Sequence, residues 1–191
     1  MSDRRNIPNH FNDILLGRLD GISLRKLAEE DLDAVLNWRN HDDVRLQMFN
    51  QNRITYDEHR RWFAHLNSRD DELQLLVCHK GKKIGISNIK TANGMPITQS
   101  TALELGLYIG IAEVRGSLLS FVPAMHTIDF CFNELKATSL YARVKNSNHA
   151  ALRFNQQLGY VITEKKEFIR MDLTRDQYVV ATQPLQRLRT L

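Results

Sequence analysis

The stretch "EVRGSLLSFV", Glu113–Val122, stands between a segment that alternates and one that runs apolar, and its reading decides the fold. Upstream, "TALELGLYI" sets Leu103, Leu105, Leu107 and Ile109 on one face. Glu104, Gly106 and Tyr108 fall on the other, the two-residue period of a strand. Downstream, the apolar run to Leu135 reads as a helix. A strand that feeds a helix through a glycine leaves the first N–H groups of that helix without partners. With the positive end of the helix dipole, those groups hold a phosphate without side-chain charge. Arg115 adds a cation beside them. Phosphate loops usually carry two or three glycines, however, and this one has only Gly116. The residues alone leave an anion cradle and an ordinary turn both open.

Working outward, "ISLRKL" (Ile22–Leu27) alternates like a strand, and "AEEDLDAVLNWRN" loads acidic residues into a first helical turn. "TYDEHRRWFAHL" opens with Thr55 and Glu58 in capping-box spacing. His59, Trp62, Phe63 and Leu66 then follow along one helical face. "LQLLVCH" and "KIGISNIK" flank the turn "KGKK" as a hairpin. After the central helix, "TSLYARV" reads as a strand and Asn148–Leu158 as a helix closed by Gly159. "YVITEKKEFIRMDL" and "QYVVAT" read as two last strands joined at "TRDQ". One sheet covered by helices on both faces follows.

The chain has 191 residues, 42% of them hydrophobic, which fits one domain with a real core. A formal charge of +4 suits a small anionic ligand and does not argue for nucleic acid. Cys78 and Cys131 sit in apolar segments without CxxC or histidine pairing, the setting of buried reduced thiols. No apolar run approaches the roughly 18 residues of a membrane span, and Met1–His10 has no signal-like apolar stretch. A cytoplasmic protein without a membrane partner is expected. Residues 1–21 read as an extension, 22–184 as the domain and 185–191 as a tail. Oligomeric state is left open, a homodimer included.

From Arg115 through Val144 to Tyr160, the chain resembles the GNAT acetyltransferase superfamily. The carriers of the likeness are Arg115–Gly116 followed by a helix, then "NHAALRFNQQLGY" (Asn148–Tyr160) after a strand. The resemblance implies a mixed, mostly antiparallel sheet with helices on both faces, and acetyl-CoA as co-substrate with no metal. It implies that Arg115, Gly116, Ser117, Leu118, Leu119 and Ser120 form the loop on the coenzyme A pyrophosphate. It also implies that Asn148 and Ala151 flank the pantetheine arm. Backbone N–H groups at Leu107, Tyr108 and Ile109, on the splayed strand, would polarise the acetyl oxygen. Leu118 and Ser120 stand where the family usually has glycines, and the family's tyrosine acid falls on Asn155. Glu104 falls where these enzymes place a carboxylate base acting through water. A carboxylate on a solvated strand face is the plainer reading.

"NWRNHDDVRLQMFNQNRITYDEHRRWF" resembles the subfamily that acetylates UDP-linked amino-deoxy sugars in pseudaminic acid synthesis. The likeness implies Met48 and Phe49 against a uracil, Arg39 and Arg45 near a diphosphate, and His59 in the acceptor site. Read as residues, Met48 and Phe49 also suit a core beneath a loop. The arginines also suit pairing with Asp42 and Asp43, and His59 suits a hydrogen-bonded structural role. The expected function is transfer of acetyl to the amine of a UDP-linked 4-amino-6-deoxy sugar. A protein N-terminal or polyamine acetyltransferase and a non-catalytic coenzyme A-binding relative are the alternatives.

Overall fold

Thr55 accepts a hydrogen bond from the Glu58 N–H, and the Glu58 carboxylate accepts one at 2.7 Å from the Thr55 N–H. This closed capping box starts helix α3 (Tyr56–Leu66), as its spacing predicts. The computed structural model describes residues 21–189, with β1 (Ile22–Lys26), α1 (Leu32–Asn40) and the short α2 (Asp42–Arg45) before α3. Strands β2 (Glu72–His79) and β3 (Lys82–Lys90) form the expected hairpin. Its turn is made by Lys80 and Gly81, with φ of 48° and 79°, the paired left-handed conformations of a tight hairpin turn. Then come β4 (Ala102–Ile109), α4 (Phe121–Asn133), β5 (Ser139–Lys145) and α5 (His149–Gln157). The chain continues through β6 (Val161–Lys165), β7 (Phe168–Leu173) and α6 (Arg175–Thr182).

Seven strands make one sheet in the order β1-β2-β3-β4-β5-β7-β6, and β4–β5 is its parallel pair. Helix α4 is buried almost all round and packs on the face that carries Leu24, Leu75, Leu103, Leu140 and Met171. Its Met125 and Ile128 are fully buried, each stabilising by ~1.5–3 kcal/mol. Residues of α5 and α6 join that cluster through Phe154 and Tyr178. On the opposite face, Leu32 and Val35 of α1 and Leu66 of α3 pack on Leu76, Cys78 and Ile86. The expected architecture therefore holds. Both cysteines are buried and free.

Two expectations fail at the C-terminal end. "YVITEKKEFIRMDL" is a hairpin of β6 and β7 rather than one strand, and "QYVVAT" is helix α6. A second capping box decides it: the Thr174 N–H donates to Gln177 Oε1 at 2.8 Å, and the Thr174 hydroxyl caps the Gln177 N–H. Tyr178 and Thr182, four apart, are buried while Val179 and Val180 face outwards, a helical period that β-branched composition hides. A 3-10 turn runs over Gln183–Arg189, across the expected boundary at 184, and Leu185 packs against the larger cluster. Of the expected extension, residues 1–20 lie outside the described residues.

Candidate active site

Strands β4 and β5 pair at three positions only, Ala102↔Ser139, Leu103↔Leu140 and Glu104↔Tyr141. Beyond them each strand keeps its outer neighbour: β4 stays on β3 as far as Ile109, and β5 stays on β7 as far as Lys145. The sheet is thus opened from Leu105 onward, and one backbone edge of β4 faces the gap. Gly106 offers its carbonyl toward Ser87 of β3 and the Gly110 N–H bonds Ile84 of β3, so even-numbered residues face β3. By strand alternation the polar edges of Leu105, Leu107 and Ile109 face the gap. Tyr108 therefore turns its N–H toward β3, contrary to expectation, and its phenol side chain packs with the cluster under α1 and α3. Burial pushes that phenol's pKa up, with Arg39 nearby drawing it partly back.

Past β4 the chain turns over Trp38. A Cβ on Gly110 would lie 2.2 Å from the indole, so only glycine lets the ring close that corner. Gly116 has φ of +76°, and a Cβ there would meet nothing within 4 Å, so its role is the turn and not clearance. The Ser117 N–H bonds Val114 and the Ser120 N–H bonds Ser117, each at 3.1 Å, and both serine hydroxyls turn the same way. These N–H groups are internal to the turn, which corrects the expectation that the whole loop presents N–H groups outward. Leu118 and Leu119 open the 3-10 turn Leu118–Ser120, where N–H groups lack helical partners, and the Leu118 side chain is 60% exposed. Pro123 sits in the first turn of α4, where its missing N–H costs least.

Arg115 is engaged within the protein. Its guanidinium pairs with Asp43 at 2.6 Å and donates to the carbonyls of Ile109 and Gly110, both at 3.2 Å. It braces α2 against the end of β4. At α5, Asn148 Oδ1 accepts from the Ala151 N–H at 3.0 Å, so the two form the helix cap. Asn155 Nδ2 lies 3.9 Å from Met171 Sδ. An amide there has no proton to release to a thiolate.

Glu104 sits at the foot of the gap, 7% exposed, and is not on a solvated face. Arg143 Nε is 3.0 Å from one carboxylate oxygen and Lys90 Nζ 3.6 Å from the other. Arg45 is bound to Asp42 and, at 2.6 Å, to the Gln51 carbonyl. Arg39 and His59 differ. Arg39 Nη1 and His59 Nε2 are buried without a hydrogen-bond partner. His59 stacks on Trp62 with ring centroids 5.1 Å apart, and burial lowers its pKa. Met48 is half-buried, whereas Phe49 is 55% exposed, so Phe49 is no core residue. Its ring meets Phe168 edge-on at 5.8 Å, with the Arg143 guanidinium 5.7 Å away. Reading the sequence alone misses Arg143, Phe168 and Arg170, although Tyr141-x-Arg143-x-Lys145 and Phe168-x-Arg170-x-Asp172 alternate openly there.

An open parallel seam followed by a glycine turn and a buried helix defines an acyl-coenzyme A transferase architecture. The acetyltransferase (GNAT) domain family matches residues 22–161, and the chain belongs to it. It is an acyltransferase that uses acetyl-CoA, as the family does. "Acetyltransferase PseH" of Campylobacter jejuni subsp. jejuni is 29% identical over 151 residues, 77% of this chain and 90% of that relative. The crystal structure of Campylobacter jejuni N-acetyltransferase PseH aligns with a TM-score of 0.62 at 24% identity, covering 81% of this chain and 99% of that one. Spermidine N-acetyltransferase from Vibrio cholerae, in complex with CoA and spermine, aligns with a TM-score of 0.71 at 19% identity. That match covers 83% of this chain and 98% of the other, and both structures share the fold. Among the described residues no group of three His, Cys, Asp or Glu side chains is placed to hold a metal ion, and no helix is long and apolar enough to cross a membrane.

Proposed function

We propose that the protein acetylates the amine of a UDP-linked 4-amino-6-deoxy sugar, a step in making pseudaminic acid for flagellin glycans. The observation that carries the acceptor reading is Arg39, whose buried Nη1 has no partner, beside His59 with an orphaned Nε2. A guanidinium nitrogen withheld from water without an acceptor is costly, and an anionic ligand removes that cost. Polyamine acceptors would bring more positive charge to the same place. The likeness to PseH supports the nucleotide sugar independently.

Acetyl-CoA supplies the thioester. The Leu107 N–H, facing the gap, polarises its carbonyl, and the N–H groups of Leu118 and Leu119 take the pyrophosphate. Met48 and Phe49 border the uracil, and Arg39 takes the diphosphate. The neutral amine forms the amide bond as the carbon–sulfur bond breaks. Glu104 receives the amine's proton through a water, since both of its oxygens already face cations. The thiolate, with a pKa near ~8.5, leaves without a side-chain acid and takes its proton from water, Asn155 having none to give. Thiol release measured with a UDP-4-amino-4,6-dideoxy sugar and with spermidine tests the reading. The sugar should win in kcat/KM by ~10²-fold or more, the scale on which a site built for polar groups rejects the wrong one. Equal or faster turnover of spermidine overturns it.

A further inference from the structure

Helices α1 and α3 cover the sheet face over β1 to β4, whereas the same face of β5 and β7 carries polar and aromatic side chains. There Arg143 and Arg170 are direct partners in the β5–β7 register. Side chains so paired in an antiparallel sheet start about 4.5–5.5 Å apart, and like charges in that position destabilise it. Each arginine is held only by its Nε: Arg143 on Glu104 at 3.0 Å, Arg170 on Asp172 at 2.9 Å. Among the described residues, no protein acceptor meets their Nη groups. Lys90 also faces Glu104, and Lys145 flanks Arg143, its Nζ bonding the Leu46 carbonyl of the loop that carries Phe49. Four cations thus stand against two carboxylates; Glu164, opposite Arg170, is taken by Lys166.

Three rings border this cluster, whose two arginine side chains stay partly open to solvent. The Arg143 guanidinium lies 5.7 Å from Phe49 and 5.2 Å from Phe168, and that of Arg170 lies 4.0 Å over Tyr141. Tyr141 is 4% exposed, and its hydroxyl is buried with no partner. That phenol feels the charges of both arginines and both carboxylates, which places it within the cluster. An unpaired donor edge on each arginine beside an orphaned hydroxyl is a set of complements to one oxyanion.

We infer that Arg143 and Arg170 form a second anion-binding position, which holds a phosphoryl group of the acceptor on the floor of the cleft. The inference rests on the nucleotide-sugar reading for the identity of that acceptor. It adds that negative charge is read by β5 and β7 as well as by α1. Arg143 thereby serves both Glu104 and the acceptor, which ties charge recognition to the proposed proton acceptor. The Phe49 ring, 5.7 Å from the Arg143 guanidinium, borders the position.

Calorimetric titration of the full chain with UDP and with inorganic pyrophosphate tests it. Arg143→Met and Arg170→Met should each raise the Kd of both probes ~10-fold, the loss of one charge-assisted contact. Arg170→Lys keeps the charge but loses the planar fork, and should fall between. Melting curves confirm that each variant is folded; if a methionine variant is not, Arg143→Lys and Arg170→Lys carry the test. Unchanged affinity for both probes in folded variants overturns the inference and leaves the nucleotide reading standing. Arginine-dependent pyrophosphate binding, with UDP no tighter than pyrophosphate, upholds the inference and overturns the nucleotide reading. Failure of the wild-type chain to bind either probe overturns both.

Discussion

The two sides of the sheet opening differ in how far their polar groups are satisfied. On the coenzyme side, Arg115 is bound three ways, both loop serines are folded into the turn, and Asn148 caps its own helix. On the acceptor side, Arg39, His59 and Tyr141 each keep a buried polar atom without a partner. Buried polar groups in proteins are nearly always bonded, so an imbalance confined to one side marks where a ligand completes the structure. In the proposed reading the coenzyme side works through backbone geometry already in place, and the acceptor side through side chains that wait.

The largest effect should come from the group between the two sides. Glu104→Gln keeps size and one hydrogen-bond acceptor but removes the base. It should lower kcat ~10²–10⁴-fold. Steady-state rates at several pH values check this, and full activity throughout would place the base elsewhere.

Next is the coenzyme side, where acetyl-CoA at ~100 times its Kd should stabilise the fold by about 2.7 kcal/mol. Thermal melting reads this as a rise of several degrees. Gly116→Val forces a β-branched residue into φ of +76° and should abolish most of that rise while the unliganded protein still folds. An unmoved melting curve for the wild type would mean that Leu118 and Ser120, in place of glycines, have closed the cradle.

The smallest effect concerns His59. Its folded pKa lies below the ordinary value because burial disfavours the imidazolium. The unfolded chain therefore binds the proton more readily, and stability falls as pH drops through the ordinary histidine range near ~6.5 toward the lower folded value. His59→Gln should flatten this slope in denaturant melts between pH 7 and 5. An unaltered slope would show that folding leaves the proton affinity of the ring unchanged.

The parts that could be read from the sequence are the local ones. Thr55–Glu58, the β4 alternation, the Lys80–Gly81 turn and Gly159 at φ of +98° each report a conformation fixed within a few residues. The Thr174–Gln177 capping box is equally local but is outweighed by the β-branched look of "QYVVAT". The fates of Arg115 and Arg45 are less accessible. Whether an arginine is free depends on a carboxylate or carbonyl brought to it by the fold, and Asp43 lies 72 positions from Arg115. Arg143 and Arg170 meet only through strand register, which no spacing along the chain reveals.

The Arg115–Asp43 brace sets a rule for redesign. The segment after α2 carries Phe49 and, through Lys145, touches β5; its start is fastened to the arginine that closes the end of β4. Residues 42–49 and the turn at Arg115 therefore form one transplantable unit. A graft that imports a relative's acceptor loop without its matching arginine would strand a guanidinium against two carbonyls and lose the coenzyme corner along with the new specificity.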